Sequence, residues 1–130
     1  MKEDVIEPLV EIRDLRVTFT GARDVHAVNG VDLHLQPRET LGVLGESGSG
    51  KSVTLKTLLR LLPEKTTRIS GSVRVLGRDV MALEGKKLAD HRGGTVSMIF
   101  QDPILALDPI YRIGDQIAEA VMRHEGASRA

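Results

Sequence analysis

Apolar and polar positions alternate over several short stretches of the chain and change to a helical spacing in two places. From Leu9 to Phe19 (LVEIRDLRVTF), Leu15, Val17 and Phe19 keep a period of two while Ile12 is out of phase with them. That pattern predicts a strand with a bulge near Asp14, placed at an edge of a sheet. Gly21 to Asp24 read as a turn. Ala27-Val28 and then Val31, Leu33 and Leu35, with polar Asp32 and His34 between, predict a second, half-buried strand antiparallel to the first. Beyond the turn Gln36-Pro37-Arg38-Glu39 comes an apolar run, Leu41-Gly42-Val43-Leu44, the pattern of a strand buried on both faces. Leu55, Leu58, Leu59 and Leu62 then recur along one face of a helix that must end by Pro63.

The second half is less regular. Glu64 to Arg68 is a charged loop, Ser72 to Val75 a short strand bracketed by Gly71 and Gly77, and Met81 to His91 contains a short helix. Thr95 to Phe100 reads as another buried strand that ends at Gln101-Asp102-Pro103. Ile113, Ile117 and Val121 fall on one face of an amphipathic helix over residues 113–124. No internal repeat and no low-complexity segment is present.

Between the Leu41 run and the helix lies Gly45-Glu46-Ser47-Gly48-Ser49-Gly50-Lys51-Ser52, a complete match to the phosphate-loop pattern G-x-x-x-x-G-K-[ST]. Strand, glycine turn and helix in that order are the context this pattern requires. The helix N-terminus then aims its free amides and the positive end of its dipole at phosphate. Gly45, Gly48 and Gly50 allow close backbone approach, Lys51 supplies a mobile cation for the β/γ-phosphates, and Ser52 offers a hydroxyl to Mg²⁺. A glycine turn with a solvated lysine is the plain alternative, and the complete match in its strand-helix context disfavours it.

Composition narrows the picture further. At 130 residues the chain is one domain or part of one, and its 18 basic residues balance 18 acidic ones. Without a basic surplus, nucleic acid and acidic membrane surfaces are disfavoured as partners. There is no cysteine, hence no disulfide or thiolate metal site in these residues. No apolar run approaches the ~20 residues that span a bilayer, and Met1-Lys2-Glu3-Asp4 is too acidic to open a signal peptide. The expected location is cytoplasmic.

Two further positions carry chemistry. Gln101 stands at the predicted C-terminal end of a strand, where α/β folds place ligand-binding groups, and its neutral amide can reach Mg²⁺ or orient a water. A backbone-bonding loop residue is the competing reading. Phe19 is one of three aromatic residues, with Phe100 and Tyr111; it can stack on a nucleotide base or pack in the core. The four histidines, His26, His34, His91 and His124, share no metal-ligand spacing.

Taken with GESGSGKS, the strand end MIFQDP and the segment ALDPIYRIGDQIAEAV make the chain closely similar to the ATP-binding subunits of ABC transporters, above all the oligopeptide, dipeptide and nickel importers. The resemblance runs from about Leu9 to the last residue and includes AVNGVDLHL and GKSVTLKTLLRLLP. It implies an α/β phosphate-loop NTPase core with an N-terminal antiparallel β subdomain over residues 1–100, and a glutamine loop with the start of a helical subdomain over residues 101–130. It further implies that Gly45, Glu46, Ser47, Gly48, Ser49, Gly50, Lys51, Ser52 and Val53 bind ATP, that Ser52 and Gln101 serve Mg²⁺, and that Lys51 and Gln101 are the catalytic residues of this portion. Phe19 is chosen as the base-stacking aromatic, with Val25 and His26 as alternatives because the segment from Phe19 to Ala27 differs in length from many relatives. Asp108 stands where the family more often has Asn.

Implied partners are the transporter's membrane subunits, contacted through the loop around Gln101, and a second ATP-binding subunit. The implied location is peripheral, on the cytoplasmic face of the membrane. The family's LSGGQ-type signature, catalytic Glu and switch His do not occur in these residues. The chain is therefore expected to be an N-terminal portion of a longer subunit, not hydrolytic alone and prone to aggregate. A GTPase is disfavoured by the late position of the loop and the lack of an N-K-x-D motif; Asp90-His91-Arg92-Gly93 matches D-x-x-G but follows no apolar strand. A short, non-catalytic ATP-binding or interaction protein that pairs with a full subunit is the alternative from another class.

Overall fold

The phase break in the first strand sits at the centre of the fold. The computed structural model describes residues 7–102, 106–126 and 128, in two compact units, Met1–Leu83 and Glu84–Ala130. The acidic start Met1–Asp4, Pro103 and the tail residues 127, 129 and 130 fall outside the described residues.

The first unit holds strands β1 (Val10–Phe19), β2 (Val25–Leu35), β3 (Thr67–Val75) and β4 (Arg78–Asp79), with helix α1 (Lys51–Leu58) between β2 and β3. The strands form one antiparallel sheet in the order β2-β1-β3-β4. β1 is thus an interior strand and not the edge its sequence suggested. Its second partner extends well beyond the expected Ser72–Val75: β3 pairs along the whole of β1, from Val10↔Val75 to Phe19↔Thr67. The added residues, Thr67 to Ser70, contain one apolar side chain, Ile69, too few to show a period of two.

The bulge falls where the broken phase places it. Between Ile12 and Leu15 the pairing of β1 slips by one residue against β2, and between Arg13 and Arg16 it slips against β3. Asp14 occupies the extra position with φ 43, and its amide donates to the Asp32 carboxylate at 2.6 Å. Opposite, Gly71 has φ +95, and a Cβ there would lie 2.6 Å from the Arg13 carbonyl oxygen and closer still to that of Asp14. Only glycine accommodates this approach. The inserted residue returns Ile12 to the face of Leu15 and Val17, and all three are at most 1% exposed. Val28, Val73, Val75 and Val80 complete this core with Leu59 and Leu62.

Two expected strands do not form. Leu41-Gly42-Val43-Leu44 forms no strand and pairs with none among the described residues, and Leu44 is 95% exposed. Thr95 to Phe100 likewise makes no strand; Val96 bridges only to Arg92, and Ile99 is 97% exposed. A strand exists through its inter-strand hydrogen bonds, so an apolar run without a neighbour stays unpaired whatever its propensity.

Helix α1 forms as expected but turns a different face inward. Thr54 and Thr57 are buried, while Leu55 is exposed. Leu59 is buried at the helix C-cap, and Leu62 reaches the core after the chain reverses at Arg60. Leu55 and Leu58, with Leu41, Val43, Ile12 and Leu33, line an open apolar groove of about 230 Å³.

In the second unit, α2 (Gly85–Asp90) supplies the short helix expected within Met81–His91. A wide turn, His91–Thr95, follows it, with His91 buried. Helix α3 (Ile113–Glu125) matches the predicted amphipathic helix. Gln116 on α3 straps down the loop before it: its Oε1 accepts from the Asp108 amide at 2.9 Å, and its Nε2 donates to the carbonyls of Asp108 and Tyr111 at 2.9 and 3.0 Å. The apolar face of α3 remains uncovered, with Ile113 and Ile117 60% and 57% exposed.

Burying a large apolar side chain is worth about 1.5–3 kcal/mol, so Leu44 and Ile99 represent association energy rather than folding energy. Leu44→Ser with Ile99→Ser should leave the unfolding free energy within about 0.5 kcal/mol of the parent and reduce concentration-dependent light scattering. A marked loss of stability in urea titrations would show that these side chains are buried in solution.

Candidate functional site: a glycine loop closed on its own lysine

The loop from Gly45 to Gly50 curls around the side chain of Lys51, which follows it. The Lys51 ammonium donates to the carbonyl oxygens of Gly45 and Glu46, both at 2.6 Å, and to the Ser49 hydroxyl at 3.1 Å. The Ser49 amide closes a turn onto the Glu46 carbonyl at 3.2 Å. One cation therefore gathers three groups of the loop, and residues 45–49 remain exposed around it.

Gly50 joins this loop to both helix and sheet. It caps α1 with φ 91, a left-handed conformation, and no side chain caps the helix. Its carbonyl accepts the first helical bond, from the Thr54 amide at 2.9 Å, and a second bond from the Thr54 hydroxyl at 3.0 Å. The amides of Lys51, Ser52 and Val53 precede that first bond, and no acidic residue stands in the first turn to neutralise the positive end of the dipole. A Cβ at Gly50 would overlap the Ala27 carbonyl oxygen and approach Val28 Cγ2 to 3.2 Å.

Ala27 reaches Gly50 because β2 is bulged there. The pairing steps from Val17↔Val28 to Thr18↔His26 and leaves Ala27 as the extra residue. Sequence reasoning passed over Ala27, although its signal is present: Val28 is out of phase with Val31, Leu33 and Leu35. Two residues from the bulge, Val25 lies opposite Phe19, which is half-buried and pairs on its other side with Thr67. The His26 ring is held by a 3.0 Å hydrogen bond between its Nδ1 and the buried Thr18 hydroxyl. The first unit thus links Phe19, through β2, to the loop residues 45–53.

Gln101 belongs to the second unit, exposed, at the end of the irregular segment that follows Val96. Among the described residues no three His, Cys, Asp or Glu side chains gather as a metal site, and no helix is long and apolar enough to cross a membrane.

Residues 28–129 match the family described as ABC transporter. The chain is 44% identical over 124 residues to a probable peptide ABC transporter ATP-binding protein of Sinorhizobium fredii, covering 94% of this chain and 37% of that protein. It is 48% identical over 120 residues to a putative peptide import ATP-binding protein of Brucella abortus, covering 92% and 36%. With the oligopeptide transport ATP-binding protein OppD of Salmonella typhimurium it shares 47% over 123 residues, covering 94% and 36%. The chain therefore spans little more than a third of the length of these curated relatives.

The two left-handed glycines of the loop should respond differently to a methyl group. Gly48 has φ +80 but open space around it, so Gly48→Ala should cost about 1–2 kcal/mol of backbone strain. Gly50→Ala adds the collision with Ala27 and should cost clearly more, about 3 kcal/mol or above. Equal losses for the two variants in denaturant unfolding would remove the Ala27 contact from the account.

Proposed function

The chain belongs to the ABC transporter family, and from that premise we propose that it is the ATP-binding portion of a peptide importer, holding the phosphate cradle and the glutamine loop of a longer subunit. The observation that carries this reading is the loop itself. An exposed backbone turn closed on Lys51 and set on an uncapped helix N-terminus offers fixed amide donors and one cation in a single place, which suits a phosphate chain. The residues fit ATP with Mg²⁺. Gly45 to Val53 would hold the phosphates, Lys51 would balance the β/γ charge, and Ser52 with Gln101 would serve the metal ion.

Bound Mg²⁺ supplies charge neutralisation at the phosphates; the protein's own part is positioning. Gly50 fixes the direction of α1, and Lys51 exchanges loop carbonyls for anionic oxygens. Phe19 is the base-stacking residue in this reading. It is supported by its place opposite Val25, two residues from the bulge that touches the loop, and by the engagement of the His26 ring with Thr18. Residues 1–100 then form the first part of the ATP-binding domain and 101–130 the glutamine loop with the start of a helical subdomain. The partners are membrane subunits met through the loop around Gln101 and a second ATP-binding subunit, at the cytoplasmic face of the membrane. In the longer subunit, ATP binding and hydrolysis drive peptide uptake.

Saturating Mg²⁺-ATP, at about 100 times its dissociation constant, should stabilise the chain by ~2.7 kcal/mol, with little response to Mg²⁺-GTP. Lys51→Ala should lose the shift. A chain that melts identically with and without ATP does not bind nucleotide through this loop. Hydrolysis by these residues alone should be negligible, since phosphoryl transfer requires a positioned water and further charge stabilisation. Steady phosphate release that disappears in Lys51→Ala would contradict this.

A further inference from the structure

The end of α1 contains a residue that its backbone geometry disfavours. The Arg60 amide donates to the Thr57 carbonyl at 3.0 Å, and the Leu61 amide donates to the Lys56 carbonyl at 3.0 Å. These are the two bonds that close a helix in the Schellman arrangement, with Arg60 at the position where the chain turns left-handed. Its φ is +49, a conformation glycine takes without strain and arginine does not. The side chain is only 18% exposed. Its Nη1 donates to the carbonyl oxygens of Met81, at 3.3 Å, and Leu83. Its Nη2 pairs with Glu64 at 2.6 Å.

The carbonyls it binds belong to the segment by which the chain leaves the first unit. Val80 is fully buried, and its amide donates to Val73 at 2.9 Å. After it the chain is irregular, held by the Met81 amide on Asp79 at 2.9 Å and the Leu83 amide on Val80 at 3.3 Å. Glu84 begins the second unit, which carries Gln101. We propose that Arg60 is a positioning residue that fastens the far end of the phosphate-loop helix to Met81–Leu83, so that nucleotide bound at the start of α1 is felt where the chain passes to the second unit. The coupling rests on the nucleotide reading above; the anchor does not.

The physical route is short. Helix α1 has two turns, ~12 Å at 1.5 Å per residue, and the Thr54 and Thr57 hydroxyls bond back along it to the carbonyls of Gly50 at 3.0 Å and Val53 at 2.8 Å. Fixing its first amides on phosphate restrains its last turn, and the planar guanidinium carries that restraint to two carbonyls at once. A lysine, with one compact ammonium, does not reproduce that fork.

Hydrogen exchange on the full chain tests this, with and without Mg²⁺-ATP, in the parent, Arg60→Gly and Arg60→Lys. Glycine keeps the left-handed turn and removes the side chain with all its bonds, whereas lysine keeps the aliphatic stem and a charge and removes the guanidinium fork. Without nucleotide, the Leu83 amide should exchange about ten-fold faster in Arg60→Gly, with β1 amides unchanged; Arg60→Lys should recover only part of the protection. With nucleotide, the parent should gain protection at residues 45–53 and at Leu83, whereas Arg60→Gly should gain it at 45–53 alone. If Arg60→Gly folds poorly, the same comparison is read from Arg60→Lys. Absence of loop protection in the parent sinks the nucleotide reading and the coupling with it. Loop protection with an unresponsive Leu83, or Leu83 equally protected in parent and variants, overturns the role of Arg60 alone.

Discussion

The contact between the backbone of Gly50 and the carbonyl of Ala27 is the constraint on which the first unit depends. It joins the antiparallel sheet to the loop and helix that follow it, and it leaves no room for a side chain. The direction of α1, the placement of its first amides and the shape of the loop all follow from where the β2 bulge presents that carbonyl. The sheet is therefore the platform for the site. The β1 bulge at Asp14 serves the same end on the neighbouring strand, because it returns Ile12 to the buried face of the sheet.

Much of this was legible in the residues. The odd spacing of Ile12 against Leu15 announced the first bulge, and the glycine pattern before Lys51 marked the loop that closes on that lysine. The apolar series at Ile113, Ile117 and Val121 announced α3 in nearly its observed bounds. Each of these signals is local: a phase, a motif or a period. The interior place of β1 was hidden because it depends on β3, whose first half carries almost no apolar pattern. The inward face of α1 was misjudged for a related reason. Threonines that bond back to the preceding turn are compatible with burial, and Leu62 owes its burial to the reversal at Arg60, which no periodicity encodes.

The two missing strands mark the boundary between propensity and pairing. Leu41 to Leu44 and Thr95 to Phe100 have the composition of buried strands, yet a strand needs a neighbour on at least one side to satisfy its amides and carbonyls. Within each unit the described residues provide none. The same runs leave Leu44 and Ile99 almost wholly exposed, and Leu41 and Val43 border an open groove. Exposed apolar surface of this kind is a site of association. The segments flanking the phosphate loop and Gln101 are thus the parts of the chain whose geometry depends most on what packs against them.

Lys51 raises a different question, about what its removal measures. Its ammonium already holds two carbonyls at 2.6 Å, and a hydrogen bond to a charged group contributes about 1.5–3 kcal/mol when shielded, less in an exposed loop. Phosphate oxygens must compete with those carbonyls, so the lysine shapes the empty loop with the same charge that it would offer a ligand. Removing it both opens the turn and deletes the cation. The resulting loss of affinity therefore differs from the lysine-phosphate attraction by two opposing contributions, the carbonyl bonds no longer given up on binding and the free energy of re-forming the turn, and the effects do not add independently. Substitutions at Gly45 or Ser49, which lie on the same turn, should couple to Lys51 for this reason: the loop and its lysine behave as one unit.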